Sequence, residues 1–126
     1  MIYNTEKIFY LKESIPHTWL FPQLSAAIHH GGAGTTHTIL RYGLPTLIIP
    51  FGADQPFNAD RVFIHRLGPK GIPTRQINAS NLSNALADLL HNYPIYRQNA
   101  QKIGPSIEQE DGLRQCINLI EQQLKQ

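Results

Sequence analysis

The chain has 126 residues, of which 41% are hydrophobic and 16% charged, and its formal net charge is +2. This length predicts one domain with a real hydrophobic core. The Lys and Arg residues are scattered, so no basic run indicates a nucleic-acid partner. Cys116 is the only cysteine, which excludes a disulfide framework and a thiolate metal site.

The first residues predict a strand and no targeting segment. The start MIYNTEKIFYL lacks the apolar core of a signal peptide, and no run approaches the ~20 apolar residues of a membrane span. A soluble, cytoplasmic protein, or part of one, is therefore expected. Residues 7–11 alternate loosely and are bounded by charge, which predicts a short strand. Phe21 and Leu24 are then expected on the core face of a short helix, whereas Trp19 suits this core face and the wall of a ligand site about equally.

The stretch from Ala26 to Gln55 organises the rest of the chain. Residues 26–28 are apolar, a helical segment ends at Gly43 just before Pro45, and residues 46–49 read as a buried strand. Two parallel strands need a crossover connection, which is usually a helix. The expected local unit is therefore strand, glycine turn, helix and strand.

Three glycines, Gly31, Gly32 and Gly34, lie between the first of these strands and the helix. Glycine lets a ligand approach the main chain closely, and a helix start leaves unpaired N–H groups, expected here at Gly34, Thr35 and Thr36. Phosphate is the usual ligand of such a turn. The spacing is neither G-x-G-x-x-G nor a P-loop, which argues against the common dinucleotide and triphosphate sites. Taken alone, such a turn is more often a tight connection than a ligand site.

Asp54 and Gln55 follow the second strand and change that balance. They add a carboxylate and an amide to the same edge of the sheet, and sugar hydroxyls bind this mixture of acceptors and donors. Asp54 would also cap a helix over residues 55–67, and the two roles are compatible. That helix is expected to face the sheet through Val62, Phe63 and Leu67.

The remaining chain predicts an edge strand and three helices. The edge strand is expected over residues 72–77, and a further helix over residues 94–103. Ser80 is expected to cap a helix whose core face carries Leu82, Ala85, Leu86, Leu89 and Leu90. Ser106 has capping-box spacing before a last helix with an apolar side formed by Leu113, Ile117, Ile120 and Leu124.

Several segments form a recognisable pattern: Pro16-His17-x-Trp19-Leu20-Phe21, His29-His30-Gly31-Gly32-Ala33-Gly34-Thr35, Pro50-Phe51 and Asp54-Gln55-Pro56-Phe57. This pattern resembles the nucleotide-sugar signature of UDP-glycosyltransferases, and especially of bacterial and fungal sterol glucosyltransferases and their glycolipid or macrolide relatives. Further segments are similar to the family's closing part, namely Leu67-Gly68-Pro69, Ile72-Pro73 and Gly104-x-x-Ile107-x-x-Glu110-Asp111-Gly112.

The resemblance implies a GT-B fold, in which two Rossmann-like domains face each other across a cleft. Residues 1–126 would be a single partial nucleotide-sugar-binding domain: an α/β, Rossmann-like parallel sheet flanked by helices, from the later portion of the C-terminal domain. The implied reaction transfers a hexose from a UDP-sugar to a hydroxyl of a lipid, sterol or other small apolar acceptor, without a metal or other cofactor. The catalytic base would lie in the acceptor domain, so no catalytic residue is assigned to this chain.

The resemblance also implies three groups of donor-binding residues. Diphosphate binding is assigned to His30, Gly32, Ala33, Gly34, Thr35 and Thr36. Uridine binding is assigned to Ile15, His17, Trp19 and Leu20. Hexose binding is assigned to Asp54 and Gln55. His29, on the opposite face of the strand, is expected to point into packing. Metal binding by His29, His30 and His37 has no standard ligand spacing.

The chain departs from the family pattern at several points, two of which concern the ligand site. Ser14 stands where plant relatives place a tryptophan that stacks on the base, and Gly52-Ala53 stands where Phe-Gly is common. A non-catalytic remnant that binds UDP weakly or packs with a partner chain is an open alternative. A nucleotide-sugar epimerase of similar architecture fits the Asp54-Gln55 pair less well. The unpaired apolar edge expected at residues 7–11 favours self-association or pairing with an acceptor-domain chain.

Overall fold

The computed structural model describes residues 7–125 and contains two strands, six α-helices and two short 3₁₀ turns in that range. The strands are β1 (Ala27–His29) and β2 (Thr46–Ile48). The helices are α1 (His17–Leu20), α2 (Ala33–Arg41), α3 (Gln55–Ile64), α4 (Ala79–His91), α5 (Tyr93–Gln109) and α6 (Gly112–Leu124). The 3₁₀ turns are Phe21–Gln23 and Thr74–Gln76.

The two strands are parallel, with α2 as the crossover between them, as the sequence predicts. Ala27 pairs with Thr46, and His29 pairs with Ile48. Successive side chains of a strand point to opposite faces, so Leu47 and Ile48 enter two different core clusters. Strand β2 is therefore covered on both faces, as strands of parallel sheets usually are, whereas Ile28 of β1 is 48% exposed.

The core lies mainly between the sheet and helices α2, α3 and α5. Leu40, Ile48, Val62, Leu67 and Ala100 form its centre, and all are at most 8% exposed. On the other face, Leu47 packs with residues of α4 and the segment before it, Ala85 and Ile72. A third cluster joins α1 and its turn to α2 through Phe21, Ile39 and Leu44, which confirms Phe21 as a core residue.

Two helices end in the same hydrogen-bonded motif. After α2, Gly43 has φ +65°, and the N–H groups of Gly43 and Leu44 donate to the carbonyls of Leu40 and Ile39. After α3, Arg66 has φ +52°, with equivalent bonds from Arg66 and Leu67. This motif satisfies the last carbonyls and turns the following residue inward. It delivers Leu44 and Leu67 to the core.

The strands predicted at residues 7–11 and 72–77 are absent from the described structure. Residues 8–11 have no regular secondary structure and are exposed, and Phe9 is 86% exposed. A short strand persists only with ladder partners, and these residues pair with no described strand. Residues 72–74 do run along β2, because Ile72 and Thr74 donate to the carbonyls of Ile48 and Pro50. Pro73 has no N–H to donate, and a 3₁₀ turn follows it.

The helix caps and several predicted core positions also differ from the expectations. Asn78, not Ser80, caps α4, because Asn78 and Asn81 exchange side-chain to backbone hydrogen bonds in a capping box. Phe63 is 46% exposed and Leu90 74% exposed, since each lies one residue beyond the buried stripe of its helix.

The C-terminal helices are divided differently from the prediction. Helix α5 continues through Pro105 to Gln109, so Ser106 is inside it. Gly104 lets the α5 backbone pack closely on α2, because a Cβ there would lie 3.0 Å from the Arg41 carbonyl oxygen. This packing overrides the local break signal. Asp111 then caps α6 by accepting from the Arg114 N–H, and α6 buries none of its residues.

Candidate donor site

Gly31 is the conformational centre of the turn between β1 and α2. Its φ of +91° is open only to glycine, and a Cβ there would lie 2.5 Å from Cγ2 of Ile48. The Gly31 N–H donates to Nδ1 of His29 at 3.1 Å. The turn is therefore fixed both by the close approach of the β2 side chain and by a side chain of β1.

His29 is half-buried and structural, as predicted. Burial, with a smaller contribution from neighbouring His30, lowers the pKa of His29 from 6.5 to about 4. Nδ1 accepts the Gly31 N–H, so the proton of the neutral ring is on Nε2, which is buried and has no hydrogen-bond partner among residues 7–125. Protonation of Nδ1 would place its N–H against the N–H of Gly31, and this unfavourable contact between two donors agrees with the lowered pKa of His29.

The start of α2 presents free donors one residue earlier than expected. Gly32 is the N-cap, so the N–H groups of Ala33, Gly34 and Thr35 have no acceptor within the helix. The prediction of an unpaired N–H at Thr36 is wrong. Thr36 is 8% exposed, and both its N–H and its hydroxyl donate to the Gly32 carbonyl, each at 2.9 Å.

Two features leave the start of α2 open to a ligand. No atom lies within 4 Å of a Cβ built on Gly34, so this side of the first turn is empty space. His30 is exposed, and its ring flanks the turn because a Cβ on Gly32 would lie 2.5 Å from Nε2. An imidazole thus lies beside three free N–H groups at the positive end of a helix dipole. An anion is the natural ligand of such a surface.

Asp54 and Gln55 begin α3 at the same edge of the sheet. Asp54 occupies the N-cap position but its carboxylate makes no capping bond, so the predicted capping role is not realised. Its Oδ2 instead accepts from Nδ2 of Asn58 at 3.2 Å. Gln55 Oε1 accepts from the N–H groups of Phe51 and Gly52 at 2.8 and 3.3 Å. This leaves the Gln55 amide donors and one Asp54 oxygen without a hydrogen-bond partner among residues 7–125, a mixture of donors and acceptors that suits the predicted hexose ligand.

Asn58 is the residue of this site that sequence reasoning missed. Its Nδ2 donates to the Gly31 carbonyl at 2.8 Å as well as to Asp54. The spacing of Asp54 and Asn58, four residues apart on a helix, was a readable signal for their contact. The bond to Gly31 spans 27 positions in sequence and had no local signal. Asn58 directly joins the predicted hexose residues to the predicted diphosphate turn.

The predicted uridine residues lie on α1 and the segment before it. Trp19 is 59% exposed and is not a core residue. The His17 ring stacks on Phe21 with a centroid distance of 4.6 Å, and Leu20 packs against the Phe21 cluster. Ile15 lines a cavity of about 480 Å³ formed by residues 9–15. No hydrogen bond in residues 7–125 joins this segment to the glycine turn.

A groove of about 650 Å³ is lined by residues of α2, α3 and the last part of α5. Thr36 and Asn58 are in its wall near the turn, and His37 and Glu110 close its rim with Nε2 and Oε2 3.4 Å apart. Within the described range, no group of three or more His, Cys, Asp or Glu could hold a metal ion. None of the described helices is long and apolar enough to cross a membrane.

Known proteins are similar to this chain in both sequence and architecture. Residues 8–111 match the family described as erythromycin biosynthesis protein CIII-like, C-terminal domain. A sterol 3-beta-glucosyltransferase of Arabidopsis thaliana is 42% identical over 119 residues, which cover 94% of this chain and 19% of the relative. One of Yarrowia lipolytica is 48% identical over 105 residues, covering 83% and 7%. The chain thus spans less than a fifth of the length of these curated relatives.

Two solved glycosyltransferases have the same fold. The glycotransferase of kitacinnamycin superposes with a TM-score of 0.73 at 24% identity, covering 87% of this chain and 28% of the other. The glycosyltransferase VinC, solved in complex with DTDP, gives a TM-score of 0.67 at 26% identity, covering 86% and 28%. The α/β fold with a small parallel sheet is confirmed as that of the C-terminal domain of GT-B glycosyltransferases.

Proposed function

Because the chain belongs to the erythromycin biosynthesis protein CIII-like C-terminal domain family, we propose that it is the donor-binding part of a UDP-hexose glycosyltransferase. The observation that carries this proposal is the open start of α2. Ala33, Gly34 and Thr35 present free N–H groups beside His30, at the edge of the sheet where Asp54 and Gln55 begin α3. Parallel α/β sheets bind their ligands beyond this edge.

In the proposed complex the diphosphate lies on the first turn of α2. The three N–H groups and the His30 imidazole bind its oxygens and stabilise the negative charge that grows on the leaving UDP. The Asp54 carboxylate and the Gln55 amide bind hexose hydroxyls. No metal ion is needed for this arrangement, and nucleotide binding is expected to survive a chelator. The family resemblance assigns the uracil to the segment Ile15, His17, Trp19 and Leu20.

The acceptor belongs to the rest of the enzyme. Similarity to sterol 3-beta-glucosyltransferases favours glucose as the sugar and an apolar hydroxyl compound as the acceptor. Transfer needs the acceptor hydroxyl, its base and the anomeric carbon in one cleft, and such positioning can supply roughly 7–11 kcal/mol of barrier reduction. We therefore expect residues 1–126 to bind the donor without efficient transfer unless an acceptor domain is supplied. A cytoplasmic location is part of the same proposal.

Titration calorimetry of the chain with UDP, UDP-glucose and dTDP tests the assignment of the donor. Gly34→Val fills space that is empty in the fold, so it should weaken UDP binding with little loss of folding stability. Gly112→Val is the matched control, because a Cβ on this residue also meets no atom within 4 Å and it begins a different helix. If Gly34→Val binds UDP as the unmodified chain does, the phosphate assignment is wrong.

Asp54→Asn tests the hexose assignment separately. It should weaken UDP-glucose by about 1.5–3 kcal/mol, the value of a hydrogen bond to a charged group, and leave UDP nearly unchanged. Equal losses for both ligands would mean that Asp54 acts only in the fold. Tighter binding of dTDP than of UDP would replace uracil by thymine in the proposal. UDP release by this chain alone, measured with a sterol acceptor, would show that no further domain is required.

A further inference from the structure

The backbone N–H and carbonyl groups of Gly31 are hydrogen-bonded to side chains of two different elements. On one side its N–H donates to Nδ1 of His29, in β1, at 3.1 Å. On the other its carbonyl accepts from Nδ2 of Asn58, in α3, at 2.8 Å. Both polar groups of this residue are thus satisfied by side chains rather than by the sheet or helix. The turn that precedes the free N–H groups of α2 therefore depends on α3.

Asn58 uses both hydrogens of its amide. The second one is donated to Oδ2 of Asp54 at 3.2 Å. The orientation of the amide follows from chemistry, because the Gly31 carbonyl and the Asp54 carboxylate can only accept. A rotated amide would place its oxygen against two other oxygens. A single amide group therefore links the phosphate turn to the carboxylate proposed to bind the sugar.

We propose that Asn58 is a positioning residue that holds the diphosphate turn and the Asp54 carboxylate in one fixed arrangement, an inference that rests on the proposed function. Asn58 is half-buried, and its Nδ2 is already bonded to Gly31 and Asp54, so its amide hydrogens act through these two residues. With both hydrogen bonds in place, the glycine turn and the Asp54 carboxylate are already aligned before the UDP-sugar binds. Preorganisation of this kind raises affinity by lowering the cost of ordering on binding.

Asn58→Leu tests the inference because leucine has similar size but cannot donate. We expect UDP to bind about threefold more weakly, since the turn is less fixed, and UDP-glucose about tenfold more weakly, since Asp54 is also released. Asn99→Leu is the matched control. Asn99 also donates its Nδ2 to a backbone carbonyl of another segment, that of Arg66 at 3.0 Å, but it lies on α5 away from the turn. It should leave both affinities unchanged.

Two further measurements distinguish the positioning role of Asn58 from a role in folding stability alone. In the Asp54→Asn background, Asn58→Leu should no longer weaken UDP-glucose more than UDP, because the carboxylate it positions is gone. Amide exchange of Gly31, followed by NMR without any ligand, should accelerate in Asn58→Leu and not in Asn99→Leu. A structural role alone would lower stability in both asparagine variants and leave the ratio of the two affinities unchanged.

The outcomes distinguish the inference from the proposed function. If the unmodified chain binds neither UDP nor UDP-glucose, the proposed function fails before any variant is compared, and the exchange rate of Gly31 still decides whether Asn58 fixes the turn. If the unmodified chain binds both ligands and Asn58→Leu binds them equally well, the proposed function stands and the positioning role is overturned. Unchanged exchange at Gly31 in Asn58→Leu also overturns it.

Discussion

Helices α2 and α6 are both amphipathic, yet only α2 is covered by other parts of the described structure. In α2, Leu40 is 8% exposed because it packs with Ile48, α3 and α5, and Ile39 is 1% exposed because it packs with Phe21 and Leu44. In α6, Leu113 is 75% and Leu124 81% exposed. An apolar stripe thus tells which face of a helix can be buried. Whether another element covers that face is decided by tertiary contacts, which the stripe does not encode.

The sharpest form of this comparison sets a fully buried leucine of the core, Leu47 in β2, against an exposed leucine of α6, Leu124. Leu47→Ala should lower the free energy of unfolding by about 2–5 kcal/mol, because it opens a cavity at a fully buried position. Leu124→Ala should change it by less than about 0.5 kcal/mol, because its side chain is already in solvent. Urea unfolding of both variants measures the difference. A loss for Leu124→Ala comparable to that for Leu47→Ala would mean that α6 is covered in solution, and would support the predicted self-association.

The central unit could be predicted because its signals are local. Gly43 and Pro45 mark the end of α2, and Thr46 with the apolar Leu47 and Ile48 predicts the strand β2. The errors arise where two local signals compete or where pairing is distant. Asn78 lies closer to the start of α4 than Ser80 and caps equally well. Residues 7–11 have the composition of a strand, but a strand needs a neighbour that composition does not supply.

The site was predictable in its residue types and less so in its hydrogen bonds. The glycine turn follows β1 and the Asp54-Gln55 pair follows β2. Because the two strands are parallel, the placement of both at one edge of the sheet could be predicted. The exact start of α2 did not, and a shift of one residue moves the free N–H groups from residues 34–36 to residues 33–35. Helix boundaries read from sequence are commonly uncertain by this much. Asn58 became recognisable only when α3 was placed against Gly31.

The turn and the exposed helix should also differ in their response to pH. The pKa of His29 is lowered to about 4 in the fold from the ordinary value of 6.5, so the unfolded chain binds more protons between these values. Stability should therefore fall as the pH decreases from about 6.5 to about 4. One proton gives a slope of at most about 1.4 kcal/mol per pH unit, and the partial exposure of the ring reduces it.

His29→Asn isolates this contribution. Asparagine can accept the Gly31 N–H through Oδ1 but does not titrate in this range. We subtract the unfolding free energy of His29→Asn from that of the unmodified chain at each pH, which cancels the other titrating groups. This difference should decrease as the pH falls. Urea unfolding at five pH values between 7 and 4 is sufficient. A constant difference across this range would show that His29 is not held neutral by the turn.

The smallest expected effect concerns two residues with positive φ. Ala53 lies beside the site, and Arg66 lies in the motif that ends α3. Ala53 has φ +55° and Arg66 has φ +52°, and the left-handed region costs a non-glycine residue roughly 1–2 kcal/mol. Glycine removes this cost but loses about 0.5–1 kcal/mol through the greater freedom of the unfolded chain. Ala53→Gly and Arg66→Gly should therefore each stabilise by no more than about 1.5 kcal/mol. Only Ala53 lies beside Asp54, so only Ala53→Gly should change the affinity for UDP-glucose, by about twofold, while the affinity for UDP stays constant. An equal change for both glycine variants would show that the loop before Asp54 does not shape the hexose site.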